Sequence, residues 1–323
     1  MTFAFAGTPE IGAWVLSDLL ARGMRPELVI SQPDRPAGRG RHVRRPPVVD
    51  VAESEGLDWV QTPSINLPEV LERLSRSGVE TLVVAAFGQL LKSEVLDRFL
   101  CLNVHPSLLP LYRGAAPVRR ALMDGRNETG VCIMRMSPGL DEGPTALCRR
   151  LSIDLRDDHL LLGRALAFLG ALGVEEVLTG AGHGNLEWRE QEGETVYASK
   201  LTAADRRLRL DRSARTAHDQ VRALAPDIGA ETQAGGLRLK IWRTWPLGVE
   251  GIAIPAEAEE VAGNPGRVSL TKKRLFVGCG EGALELLDLQ AAGKRRMGPD
   301  EFLRGYLSRV EVGLETGANG EGA

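Results

Sequence analysis

The stretch CLNVHPSLLPLYRGAAP, residues 101–117, carries the side chains best suited to chemistry. Asn103 and His105 alternate there with Leu102 and Val104. Pro106 and Pro110 stop any helix, so the short apolar run before them reads as a strand end. Period-two geometry then puts Asn103 and His105 on one face. A second loop, SPGLDEGP at 137–144, places Asp141 between Gly139 and Gly143, with Pro138 and Pro144 to stiffen it. An Asp beside a His fixes the ring tautomer and favours its charged form. A charged imidazole beside an amide offers two donors to one developing oxyanion. No Ser or Cys nucleophile is required, and the SLLP around Ser107 lacks the GxSxG elbow of serine hydrolases. The trio suits direct attack by an amine on an activated acyl or formyl group. It is also the composition of a His and an Asp with purely structural duties, and the residues alone leave both readings open.

The elements that must position this trio follow from periodicity. TFAFA (2–6) is a buried strand, Pro9 opens a helix with apolar positions at helical spacing, and 28–31 is a second strand. That order is a right-handed βαβ unit. Gly7-Thr8-Pro9 lacks the later glycines of GxGxxG, so no dinucleotide follows from it. VETLVVAAF (79–87) is a central parallel strand, 130–136 another strand, 145–153 an antiparallel return, and 157–179 a long helix. Both loops of the trio are expected at carboxyl ends of neighbouring strands, where open α/β sheets hold ligands. Residues 32–46, QPDRPAGRGRHVRRP, read as a loop with five arginines and one acid. That loop is either a solvated charge run or a phosphate contact.

Composition shifts near residue 180. The polar, glycine-rich GAGHGNLEWREQEGE reads as a linker. A basic stretch (Arg206, Arg207, Arg209, Arg212, Arg215) and a helix over 213–225 come next, followed by short β segments over about 230–290 separated by Gly and Pro. A last helix spans 299–307, and GLETGANGEGA reads as a disordered tail. The expected division is therefore a domain at 1–180, a linker at 181–201, a β-rich domain at 202–310 and a tail at 311–323.

The chain of 323 residues is long enough for two cores, and its net charge of −3 leaves any polyanion binding to local patches. The four cysteines form no CxxC pair and read as buried reduced thiols. Five histidines, none at ligand spacing to a cysteine, disfavour a zinc site. The start lacks the basic and apolar regions of a secretory signal, and no stretch approaches the roughly 20 apolar residues of a membrane span, so a cytoplasmic location without membrane partners is expected.

NVHPSLLPLYRGAAP followed by GLDEGP resembles the folate-dependent formyltransferases. AGTPEIG at the start and QPDRPAGRG in the basic loop look like the branch whose acceptor is methionyl-tRNA. The likeness runs on through YASKLT (197–202) and AAGKRRM (291–297). One segment departs, since ALAPDIGAE (223–231) stands where the family often has a Pro- and Trp-rich NPWPGA.

The resemblance implies a Rossmann-like α/β catalytic domain with a mostly parallel sheet, followed by a small OB-like β-barrel domain. It implies 10-formyltetrahydrofolate as co-substrate and initiator methionyl-tRNA as acceptor; no metal requirement is visible in the sequence, and a monomer is expected. Asn103, His105 and Asp141 become the catalytic trio. Ser107, Leu108, Leu109 and Pro110 become the folate-site segment, and Arg39 and Arg41 belong to the loop that meets the tRNA acceptor end. Lys200, Arg206, Arg207 and Lys240 are further candidates for tRNA phosphate, each equally readable as part of a solvated basic face. The same chemistry on another amine, such as a sugar nucleotide, and a non-catalytic RNA-binding protein are the rivals.

Overall fold

A computed structural model describes residues 2–37, 42–182 and 186–317. The chain opens with β1 (Phe3–Gly7), α1 (Glu10–Ala21), β2 (Leu28–Ser31), the hairpin β3 (Arg35–Ala37) and β4 (His42–Arg44), α2 (Pro47–Ser54), β5 (Trp59–Gln61) and α3 (Pro68–Arg76). Next come β6 (Thr81–Ala85), α4 (Ser93–Leu96), β7 (Leu100–His105), β8 (Arg113–Gly114), α5 (Pro117–Met123), β9 (Glu128–Arg135), β10 (Thr145–Ser152) and α6 (His159–Gly182). Beyond them lie β11 (Tyr197–Ala198), α7 (Ala214–Leu224), β12 (Ala230–Ala234), β13 (Leu237–Leu247), α8 (Ala256–Glu259), β14 (Val268–Leu270), β15 (Leu275–Gly278), β16 (Ala283–Ala291) and α9 (Pro299–Val310).

These elements form two compact units. The first holds 1–117, 128–153 and 162–199, and the second holds 118–127, 154–161 and 200–323. The second unit thus takes in two short stretches from the half of the chain expected to be wholly catalytic.

In the first unit a seven-stranded sheet runs β10-β9-β7-β6-β1-β2-β5. β5, β2, β1, β6 and β7 are parallel, while β9 and β10 are antiparallel additions at one edge. Every residue of β1 and β6 is buried, which is why both read as unbroken apolar runs. α3 shows how the flanking helices are specified. Pro68 begins it, Glu69 and the pair Arg73 and Arg76 complement its dipole, and Val70, Leu71 and Leu74 face the core.

In the second unit a five-stranded antiparallel sheet runs β12-β13-β16-β15-β14. No pairing joins β12 to β14 among the described residues, which suits a partly open barrel. β12 alternates buried and half-buried residues, the signature of a sheet with one face on a core. α7 is capped by the Ser213 hydroxyl, which accepts from the Thr216 N–H at 3.2 Å, worth about 1 kcal/mol.

Four expectations are corrected. Cys132 and Cys148 are not reduced thiols but a disulfide. They sit directly opposite in the β9–β10 register with Cα atoms 4.1 Å apart, a neighbourhood that their spacing in sequence does not reveal. Cys101 and Cys279 are free and buried, and burial pushes each thiol up to about 12. The ends of the basic loop are not irregular, because Arg35–Ala37 pairs with His42–Arg44. The stretch read as a linker is anchored where it is described, through a bridge between Thr145 and Arg189 and through the parallel pairing of β11 with β8. Residues 311–317, expected to be a free tail, lie on the second sheet: Leu314 is buried and bridges Ala234, and the Glu315 N–H donates to Gln233 O at 2.8 Å. Residues 318–323 lie outside the described residues.

Candidate active site

β7 is held between β6 and β9, with Asn103 opposite Val84 on one side and Met134 on the other. That pairing fixes the strand's pleat, and the pleat puts Asn103 and His105 on one face as expected. The Asn103 Nδ2 donates to Asp141 Oδ1 at 3.2 Å, and His105 Nδ1 lies 3.6 Å from Asp141 Oδ2. The structure therefore brings all three candidate catalytic residues together.

The route of Asp141 to that meeting differs from the expected one. β9 is antiparallel to β7, so its carboxyl end, Arg135, lies beside Leu102. That is about 10 Å short of His105 along the strand. The 136–144 segment must fold back over the pair. Two features let it do so. Gly143 approaches Arg135 so closely that a Cβ would stand 1.9 Å from its carbonyl oxygen. Asp141 itself takes φ +52°, and Tyr112 takes φ +60°. Left-handed backbone at residues with a Cβ costs on the order of 1–3 kcal/mol each, and such strain persists where surrounding contacts enforce it.

Those contacts are mostly backbone. His105 Nε2 is 2.9 Å from Tyr112 O. A carbonyl only accepts, so Nε2 carries the proton and Nδ1 is the nitrogen turned toward Asp141. The Gly114 N–H donates to Asp141 Oδ2 at 2.8 Å. Gly114 has φ +121°, and a Cβ there would meet Ala198 O at 2.9 Å. Gln191 Nε2 donates to both Asp141 O and Gly143 O at 2.8 Å, and Gln191 Oε1 accepts from Arg113 Nε at 3.1 Å and Nη2 at 2.8 Å. Tyr112, Arg113 and Gln191 were not legible as site residues. The first contributes only a carbonyl, which every residue has, and Gln191 lies in the presumed linker.

Ser107 is fully buried, and its hydroxyl donates to Leu111 O at 2.5 Å. It thereby closes the turn that carries Leu108, Leu109 and Pro110. Leu108 packs on Gly130 of β9, where any Cβ would collide with it at 2.4 Å. Leu108 and Leu109 stay half-buried, an apolar edge next to His105 in sequence.

The arginine candidates divide sharply. Arg39 and Arg41 lie outside the described residues. Arg45 is committed to structure, paired with Glu53 and stacked over Trp59 at 5.1 Å. In the second unit Lys200 and Arg206 are exposed, and neither side chain forms an ion pair or hydrogen bond among the described residues. Arg207 is exposed as well. Lys240 is engaged, donating to Ile228 O and lying 3.5 Å from Glu231 and 5.5 Å from the Trp242 ring centre.

Comparison with known proteins settles the family. The formyl transferase family matches residues 1–178, and its C-terminal domain matches residues 200–307. A methionyl-tRNA formyltransferase of Rubrobacter xylanophilus is 46% identical, over 95% of this chain and 97% of its own length. The chain belongs to the methionyl-tRNA formyltransferase family. A second family member, from Methylococcus capsulatus, is 40% identical with the same two coverages, 95% and 97%. The fold extends to more distant formyltransferases. An N-formyltransferase of Helicobacter canadensis, solved with folinic acid and dTDP-3-aminofucose, superposes with a TM-score of 0.61 at 14% identity, covering 92% of this chain and all 100% of that one. As a methionyl-tRNA formyltransferase family member the chain is a one-carbon transferase with a folate donor.

Proposed function

We propose that this chain transfers the formyl group of 10-formyltetrahydrofolate to the α-amino group of methionine carried on initiator tRNA, supplying the start of translation. The observation that carries this reading is the meeting of Asn103, His105 and Asp141 in a chain that follows relatives of that activity over nearly their whole length.

The donor set fits a formyl oxygen. Asn103 Nδ2 is committed only to a carboxylate oxygen at 3.2 Å, and His105 Nδ1 has Asp141 beyond hydrogen-bond reach at 3.6 Å. An oxyanion beside them can take the second Nδ2 hydrogen of Asn103 and a hydrogen on His105 Nδ1 while the contacts to Asp141 Oδ1 and Tyr112 O stay in place. The apolar edge of Leu108 and Leu109, on the turn closed by Ser107 and Pro110, suits the flat face of a folate. Bound there, the folate supplies a formyl group activated for acyl transfer.

This chain's residues then act in order. Asn103 Nδ2–H and, in the doubly protonated ring that this proposal requires, His105 Nδ1–H stabilise the oxyanion that develops as the neutral amine adds to the formyl carbon. An α-amino pKa near ~8 leaves a usable neutral fraction at neutral pH. Asp141 keeps the imidazolium in place and accepts the proton shed by the amine. It returns that proton to the departing nitrogen, directly or through water, as the old carbon–nitrogen bond breaks. The carboxylate can do this because Gly114 N–H fixes Oδ2 beside the ring.

The tRNA is held, in this proposal, by Arg39 and Arg41 of the basic loop and by the exposed Lys200 and Arg206. The deciding experiment incubates the protein with 10-formyltetrahydrofolate and charged initiator tRNA and follows formylmethionine. Formylation of an amino-sugar nucleotide with none of methionyl-tRNA would reverse the acceptor while leaving the chemistry intact.

A further inference from the structure

We propose that Gln191 is a positioning residue for the formyl transfer, holding the Asp141 loop in its left-handed, folded-back form through a bridge from Arg113. The inference rests on the formyltransferase reading of the site. Every hydrogen-bonding group of the Gln191 amide is used. Its two N–H hydrogens go to Asp141 O and Gly143 O, and its oxygen takes two guanidinium donors from Arg113. The guanidinium decides which way the amide faces, since only the oxygen can accept from it. The nitrogen is thereby aimed at the carbonyls on either side of Glu142.

Those carbonyls bracket the turn that carries Asp141 at φ +52°. Asp141 has to leave β9 beside Leu102 and return to His105, and among the described residues no strand pairing holds it on the way. The glutamine replaces that pairing with two hydrogen bonds of its own. It is itself held by a strap. Thr145 and Arg189 exchange backbone hydrogen bonds at 2.8 and 2.9 Å, and Arg113 N–H donates to Val196 O at 2.9 Å. Arg113 also ties the loop's own Glu142, at 3.8 Å, into the same bridge. The residue that orients Gln191 and the residue whose N–H holds the Asp141 carboxylate are therefore adjacent in sequence, Arg113 and Gly114. A shift of the strap is a shift of the carboxylate.

The test uses two variants of the full chain. Gln191→Met keeps the side chain's length and removes every hydrogen bond. Gln191→Glu keeps the acceptor for Arg113 and removes both donors to the loop. With fold confirmed by circular dichroism, kcat is expected to fall about 10- to 100-fold in both, because small displacements of a reacting group carry penalties of that order. KM for the folate and for the tRNA should stay near wild type. The 15N signals of the His105 ring, recorded without substrate, should move in both variants, since they report the carboxylate beside Nδ1. Unchanged kcat together with unchanged ring signals in Gln191→Met would overturn the proposal. So would a variant whose only loss is in melting temperature or in KM. The ring signals need no turnover, so a wild-type protein inactive on methionyl-tRNA would count against the function and not against the bridge.

Discussion

The molecule buries two histidines almost equally, His105 at 3% exposure and His218 at 4%, and partners them differently. His218 lies on α7 with both ring nitrogens satisfied, Nδ1 accepting from Thr244 Oγ1 and Nε2 donating to Leu155 O, each at 2.9 Å. Its carboxylate neighbour Asp219 is taken by Arg215 and Arg222. Burial, reinforced by those two arginines, pushes the His218 ring down to about 4. His105 has one nitrogen tied to Tyr112 O, and the other faces Asp141 without a hydrogen bond at normal distance. Burial does not separate the histidine proposed for catalysis from the structural one. What separates them is whether the second nitrogen already has a partner.

The sharpest way to break that contrast is to remove each ring. Asn103→Ala or His105→Ala should lower turnover per folded molecule by roughly 10²–10³, as expected for loss of one oxyanion donor, and His105→Ala should also lower the melting temperature because it strands the buried Tyr112 carbonyl. A turnover assay alongside a thermal melt checks both halves. His218→Leu should cost stability alone. It strands the Thr244 hydroxyl and the Leu155 carbonyl, at about 2–4 kcal/mol of stability, with kcat per folded molecule unchanged. Denaturant titration reads the loss.

Acid sharpens the same difference. The folded His218 value lies below the ordinary 6.5, so its contribution is complete above that pH and is lost as pH falls from 6.5 toward 4. The loss is on the order of 3 kcal/mol. His159, held down to about 4 by burial and then by Arg119, acts in the same window. Wild type should lose unfolding free energy steeply between those pH values, and His218→Leu should lose less. Equal pH slopes in the two proteins would remove His218 from the account.

The smallest expected effect is on the exposed basic residues. Lys200→Ala and Arg206→Ala should each weaken tRNA binding only a few-fold and reduce the salt slope of log K by about 0.7–0.9 per lost phosphate contact. Folate KM should not move. Binding that ignores salt would contradict the phosphate role.

How much of this was legible in sequence follows from what each contact is made of. The pairing of Asn103 with His105 was legible because alternation along a strand is set by the backbone alone. The buried strands 3–7 and 81–85, the helix over 68–76 and the antiparallel return at 145–152 were legible for similar reasons. Asp141 was legible as a partner through its glycine-flanked loop, but its path was not, because the direction of β9 is a tertiary choice. The carbonyl of Tyr112 and the N–H of Gly114 carry no residue-type signal. Gln191 was hidden by its neighbours, since GNLEWREQEGE has the composition of a linker whether or not one amide in it is bound. The Cys132–Cys148 pair depends on strand register, and register is not written in the spacing of two cysteines.

The threading of the second unit has a consequence for how such a protein could be assembled from parts. Residues 118–127 and 154–161 are made long before the segments they serve. Arg120 pairs with Asp205, Arg119 with Asp227, and Leu155 supplies the carbonyl that satisfies His218. A gene fragment starting near codon 200 would encode the sheet of this unit without those three partners. A chimera joined at that point would import the strands and leave their charged supports behind. The β-rich unit is therefore not a cassette: exchanging it between relatives needs three segments moved together across five junctions, and a single graft should yield a protein that is synthesised but poorly folded.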